Sequence, residues 1–164
     1  MLTNPVIESM LNRKSVRKYT DQKPTDEVIE TVVRAGQQAP FASQLCSVLL
    51  TRKKAPFGAP LWFTLCVDMH RMELVMAKRG WTTVANDLSL LLMAIQDVAL
   101  MAENMVIAAE SLGLGSCFLG AAPYRAQAII KHAHRFDLHL PLLGTISRRG
   151  RRGYSLARRG GAHL

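Results

Sequence analysis

The stretch of residues 88–114 is the most apolar part of the sequence and constrains the fold most strongly. As one unbroken helix it would be about 40 Å long, and apolar side chains would surround its whole circumference. Polar residues interrupt the stretch, and a membrane span would not tolerate so many of them. These are Gln96, Asp97, Glu103, Asn104 and Glu110. The stretch therefore predicts a central helix in a protein outside the membrane. This helix is too apolar for one chain of 164 residues to cover its whole surface.

Capping residues predict where the helices begin. Asn4 precedes a proline and Thr25 precedes two acidic residues, which is typical of helix N-termini. Asn86 or Asp87 begins the long helix. A further helix is predicted from Pro123 to about His134, and residues 68–80 are weakly helical.

Short apolar runs between these helices predict strands at residues 47–51, 61–67, 116–119 and 138–146. The run 61–67 is apolar throughout, as expected for a strand in the interior of a sheet. The order of elements lacks regular βαβ alternation and contains no repeats. It predicts a single α+β domain over residues 1–146.

The net charge of +9 is concentrated at the C-terminal end. The last twenty residues contain six arginines and no acidic residue, so only three net positive charges belong to the first 144 residues. Residues 147–164 are read as an Arg/Gly-rich tail that packs loosely or not at all. A nucleic-acid-binding protein remains an alternative, but only the tail favours it.

Cysteine and histidine usage argues against a metal site and a disulfide framework. The three cysteines lie far apart without a C-x-x-C motif, and the five histidines have no metal-ligand spacing. Each cysteine is flanked by apolar residues, which predicts buried, inert thiols in a reducing cytoplasm. Residues 1–14 contain no apolar stretch long enough for a signal peptide.

The basic segment (residues 13–17) is the first candidate site. Arg13, Ser15 and Arg17 point to one side if this segment is extended, and Lys14 lies between them. Two guanidinium groups around a hydroxyl suit a phosphate and a second anionic or carbonyl group. On spacing alone, a solvated basic loop remains the alternative.

Three motifs in the same order resemble those of the FMN-dependent nitroreductase family. The first is R-x-S-x-R at residues 13–17, followed by K-Y. The second is APFASQ at residues 39–44, which is similar to the family's A-P-S-x-x-N loop, with Phe41 in place of Ser and Gln44 in place of Asn. The third is AENMVIAAESLGLGSCFLG at residues 102–120. The matches extend over residues 4–146.

The resemblance implies a mixed, mainly antiparallel sheet flanked by helices, with the long central helix at a homodimer interface. It also implies an enzyme that binds FMN and takes hydride from NAD(P)H in a ping-pong reaction. The electron acceptor would be a small molecule such as a nitroaromatic or a quinone. A flavin-binding protein with little turnover is the alternative, because the match ends at Gly144 and the family's C-terminal arm is altered or frame-shifted.

The same resemblance implies which residues would contact the cofactor. Arg13, Lys14 and Ser15 would lie at the phosphate and ribityl chain, and Arg17 near the pyrimidine edge of the flavin. A covering loop from the other subunit would contribute Pro40, Phe41, Ala42 and Gln44. Leu119 and Gly120 would direct backbone N–H groups toward flavin N5. The family needs no catalytic side chain, because the cofactor carries the redox chemistry.

Overall fold

The long helix packs against a four-stranded sheet and against two of three shorter helices. The computed structural model describes residues 2–52, 55–121, 124 and 140–148. In this part of the chain the helices are α1 (Pro5–Asn12), α2 (Asp26–Gln37), α3 (His70–Arg79) and α4 (Asp87–Ser111), with a short 3-10 helix at Pro56–Gly58. The strands are β1 (Cys46–Thr51), β2 (Trp62–Val67), β3 (Leu114–Leu119) and β4 (Leu140–Arg148).

The predicted helix starts are confirmed by their capping bonds. The side chains of Asn4, Thr25 and Asn86 accept hydrogen bonds from the backbone N–H groups three residues later. Each bond satisfies an N–H group that has no partner within the first turn of its helix. The predicted helix from Pro123 lies outside the described residues, and so does the tail after Arg148.

The sheet has the strand order β1-β2-β4-β3, and all three strand pairings are antiparallel. The predicted strands are confirmed, and the strand predicted at 138–146 continues to Arg148. Strand β2 lies between β1 and β4 with all but its first residue buried, as its apolar sequence predicts. Strands β1 and β3 form the two edges.

Helix α4 packs across the sheet and against α1 and α2. Its buried face includes Asp97, Val98, Met101 and Met105. By length and composition it is the one helix in the described residues that could cross a membrane. Its buried face lies instead in the core of this α+β fold, while a second apolar face stays exposed. That exposed face is formed by Leu88, Leu92, Ile95 and Leu100.

Candidate functional site

The basic segment is attached to the edge strand β3. The N–H of Val16 donates to the carbonyl of Ser116 at 2.7 Å, and Ser15 forms a parallel bridge with Ser116. The Ser116 side chain is buried and its hydroxyl donates to the Glu110 carboxylate at 2.9 Å. The segment is therefore held through β3 to the end of α4 and is not a free loop.

Close packing beside this bridge leaves room only for glycine at position 115. A Cβ atom built on Gly115 would lie 2.8 Å from a methyl carbon of Val16, well inside van der Waals contact. The absence of a side chain at Gly115 thus lets the basic segment approach the strand closely.

The Arg13 guanidinium group contains a buried nitrogen that lacks an acceptor among the described residues. The residue is half-buried, and its Nη1 atom is buried with no hydrogen-bond partner among the residues that the structure describes. A buried guanidinium nitrogen without an acceptor costs free energy. The position therefore suits an anionic group.

The remaining residues of the segment lie at the surface. Lys14, Ser15 and Arg17 are exposed, and the Arg17 guanidinium carbon lies 5.9 Å from the centre of the Phe57 ring. The bridge at Ser15 is parallel, so the basic segment runs in the same direction as β3. Arg17 therefore lies on the side of the C-terminal end of β3.

That end of β3 provides open backbone. Leu119 is half-buried, Gly120 is exposed, and a Cβ atom at Gly120 would meet no described atom within 4 Å. A planar ligand could therefore approach the backbone here closely. The basic segment thus lies beside β3, the strand that ends at Leu119. That Leu119 and Gly120 share a site with the segment stays a prediction.

The covering loop (residues 40–44) is held by a carboxylate that sequence reasoning missed. Asp97 of α4 is 0% exposed and accepts hydrogen bonds from the N–H groups of three loop or loop-adjacent residues. The donors are Ala42, Ser43 and Leu45, at 2.7, 3.2 and 3.0 Å. Within the sequence Asp97 stood out only as an acid in an apolar helix, which counted against a membrane span.

Carbonyl groups near the end of the loop are held from the other side. The Arg71 guanidinium donates to the carbonyls of Gln44 and Cys46. Asp68 accepts from the Arg71 N–H at 3.1 Å and from the Ser47 hydroxyl, and it is buried. Pro40, Ala42 and Gln44 are exposed on this anchored loop, and Phe41 packs against the core.

A pocket of about 540 Å³ opens beside the covering loop. Phe41 and Gln44 line it together with the start of β1 and the Asp68 and Arg71 side chains. A second, shallower depression of about 490 Å³ lies over residues 37–44 themselves. The loop thus borders two open spaces.

One chain does not bring the covering loop and the basic segment together. The loop leads into β1 and the segment lies on β3, and these strands are the opposite edges of the sheet. Three strand spacings separate the edges by about 14 Å. Within one chain the two elements therefore lie apart, and that the loop comes from a second chain stays a prediction.

The cysteines are buried and free, as predicted. Burial raises the pKa of the Cys46 thiol to about 11, with the Asp97 charge as a second cause, and burial raises that of Cys66 to about 12. Among the described residues, no cluster of three or more His, Cys, Asp or Glu side chains could hold a metal ion.

This fold is shared with solved nitroreductase structures. B. megaterium NfrA2 superimposes with a TM-score of 0.85 at 21% identity, covering 98% of this chain and 76% of that one. The NfrA1 nitroreductase from B. subtilis gives a TM-score of 0.80 at 27% identity, covering 96% and 73%. The chain therefore has the nitroreductase fold.

Sequence comparison gives the family. The model of the Nitroreductase family matches residues 10–55 and 47–142, and the chain belongs to this family. An FMN reductase (NADPH) of Bacillus subtilis is 30% identical over 159 residues, which cover 86% of this chain and 64% of that protein. An oxygen-insensitive NADPH nitroreductase of Salmonella typhimurium is 27% identical, again over 86% and 64%. The chain thus spans just under two thirds of the length of these relatives.

Proposed function

We propose that this protein is an FMN-dependent oxidoreductase that takes electrons from NAD(P)H and passes them to a small acceptor. The observation that carries the proposal is the buried Nη1 atom of Arg13, which has no hydrogen-bond partner among the described residues and lies in a basic segment anchored to β3. The names of the relatives, an FMN reductase (NADPH) and an NADPH nitroreductase, support the same cofactor and donor. A nitroaromatic or a quinone is the proposed class of acceptor.

The described residues fit FMN. Arg13 would bind the phosphate, Lys14 and Ser15 would bind the phosphate and ribityl oxygens, and Arg17 would lie near the pyrimidine edge. The open backbone at Leu119 and Gly120 would receive the ring, with N–H groups directed toward N5. Bound FMN would supply the hydride and electron transfer, while a cation such as Arg17 would stabilise negative charge on the pyrimidine side.

The proposed active unit is a homodimer. The exposed apolar face of α4 would form its core, since four large apolar side chains on one helix are at least 40% exposed in the single chain. The covering loop, with Pro40, Phe41, Ala42 and Gln44, would close over the flavin bound by the partner subunit. Three free, buried cysteines are typical of the cytoplasm, which is the proposed location.

The direct test is to identify the cofactor and then remove its phosphate ligand. The purified protein is expected to be yellow, and heat should release a chromophore that chromatography identifies as FMN. Arg13→Ala should weaken FMN binding by about 1.5–3 kcal/mol, the range for a hydrogen bond to a charged group. That is roughly tenfold or more in dissociation constant.

Two further variants serve as controls. Ser15→Ala should cost less, about 1 kcal/mol, because the serine hydroxyl is a donor without charge. Arg34→Ala removes the same charge from the exposed surface of α2, where Arg34 pairs with Glu30, and should leave FMN affinity unchanged. A colourless protein that cannot be reconstituted with FMN would overturn the proposal. FMN binding without oxidation of NAD(P)H would instead support a flavin-binding protein with little turnover.

A further inference from the structure

The covering loop has no regular secondary structure, yet side chains from two other elements hold its backbone. Its N–H groups at Ala42 and Ser43, and the next at Leu45, donate to Asp97 of α4. A carbonyl at its end, that of Gln44, accepts from Arg71 of α3. The shape of the loop is therefore set by groups outside it.

Burial makes the Asp97 contacts mutually dependent. A buried carboxylate is very costly unless hydrogen-bond donors surround it. Among the described residues, the three donors to Asp97 all belong to this one stretch of backbone. Hydrogen bonds to an ionised acceptor are also stronger than neutral ones. If the loop left α4, the buried Asp97 carboxylate would lose these three hydrogen-bond donors.

The conformation of Gln44 shows where this restraint acts. Gln44 has a φ of 54°, in the left-handed region that residues other than glycine rarely adopt. The bonds from Arg71 to its carbonyl and from the N–H of Leu45 to Asp97 lie on either side of it. Together they hold an unfavourable backbone conformation that directs the exposed Gln44 side chain outward.

We propose that Asp97 is a positioning residue for the cofactor: it sets the shape in which the covering loop closes over FMN in the partner subunit. Arg71 completes the same restraint from the carbonyl side. This inference rests on the function proposed above and assigns Asp97 no contact with the cofactor. Its effect on FMN passes through the backbone of residues 42–45.

The test compares Asp97→Asn with a matched core variant, Val98→Ala, in the full-length protein. Asparagine keeps the shape but replaces one acceptor oxygen with an NH2 group, so at least one loop N–H loses its acceptor. Val98 is the next residue of α4, is also 0% exposed, and has an aliphatic side chain that cannot form a hydrogen bond to the loop. Its truncation lowers stability by a cavity effect and leaves the loop bonds in place.

Two measurements are made on each variant. Fluorescence titration with FMN gives the dissociation constant, and amide hydrogen exchange of the apoprotein reports the N–H groups of Ala42, Ser43 and Leu45. In Asp97→Asn we expect a dissociation constant about tenfold higher and faster exchange at these amides, while exchange within α4 is retained. In Val98→Ala we expect an unchanged dissociation constant and protected loop amides, although the protein is less stable.

The outcomes separate this inference from the proposed function. Wild-type protein that binds no FMN overturns the function and this inference with it. Wild-type binding with unchanged affinity in Asp97→Asn, or an equal loss of affinity in Val98→Ala, overturns the inference alone.

If Asp97→Asn does not fold, Arg71→Ala is the deciding variant. Several-fold weaker FMN binding is expected in it, and unchanged affinity overturns the inference. Arg79→Ala is its control, because Arg79 lies on the same helix with its guanidinium over Trp81.

Discussion

Two charged side chains have opposite hydrogen-bonding states, and the difference distinguishes a ligand position from a structural one. Arg13 has a buried nitrogen with no acceptor among the described residues, which leaves this nitrogen available to a ligand. Asp97 is completely buried and accepts three hydrogen bonds from the chain itself. The first residue is suited to bind an anion, and the second to fix backbone.

The thiols are expected to be unreactive in the folded protein. Since burial raises the pKa of Cys46 to about 11, only about one molecule in a thousand carries its thiolate at pH 8. Cys66, with a pKa of about 12, should react more slowly still. Iodoacetamide labelling followed by mass spectrometry should show little modification at pH 8 until denaturant is added.

The same pKa values set the direction of a pH effect. The folded-state pKa is raised above the ordinary value of 9.0, so the unfolded thiols lose their protons first. The stability that the protonated, buried thiols contribute is fully present below pH 9 and is lost as the pH rises through 11 and 12.

Rapid labelling of Cys46 in the native protein at pH 8 would contradict the assignment of an inert thiol.

At the scale of elements, β3 is the part on which the basic segment depends. It supplies the carbonyl of Ser116 to Val16, the close approach at Gly115, and the open backbone at Gly120. Helix α4 supports both parts of the proposed site, through Glu110 to Ser116 and through Asp97 to the covering loop. Each part is therefore fixed to the central helix.

Gly115→Ala should displace the basic segment from β3. The new Cβ would lie 2.8 Å from a Val16 methyl carbon, so Val16 and its neighbours must move. We expect FMN affinity to fall at least several-fold, measured by fluorescence titration. The double variant Gly115→Ala/Val16→Ala removes the two closest methyl groups and should recover much of the affinity. Failure of this rescue would show that packing at Gly115 does not position Arg13.

At the scale of the whole molecule, the strand order separates the two parts of the proposed site. The two motifs that the sequence places early in the chain lie at opposite edges of one sheet. The exposed apolar face of α4 offers a surface on which a second chain could restore their proximity. Dimerisation and cofactor binding are therefore expected to be lost together.

Leu92→Glu should disrupt the proposed dimer. A charge at the centre of an apolar interface costs several kcal/mol unless it is paired. Light scattering at micromolar concentration is expected to give about twice 18.2 kDa for the wild-type protein and one such mass for the variant, with loss of FMN binding. Leu74→Glu on α3 is the matched control, because Leu74 and Leu92 are both 52% exposed. A monomeric variant that still binds FMN would contradict the shared site.

The sequence by itself determined the features that depend on neighbouring residues. Caps at Asn4, Thr25 and Asn86 and the apolar runs of the strands reflect local hydrogen bonds and periodicity, which a single segment displays. The basic segment and the loop could be recognised as motifs for the same reason. Only the tertiary structure decided that β4 separates β2 from β3 and that Asp97 serves a loop 55 residues earlier in the chain. Strand order and the pairing of a buried charge depend on contacts between distant segments, and no local pattern records them.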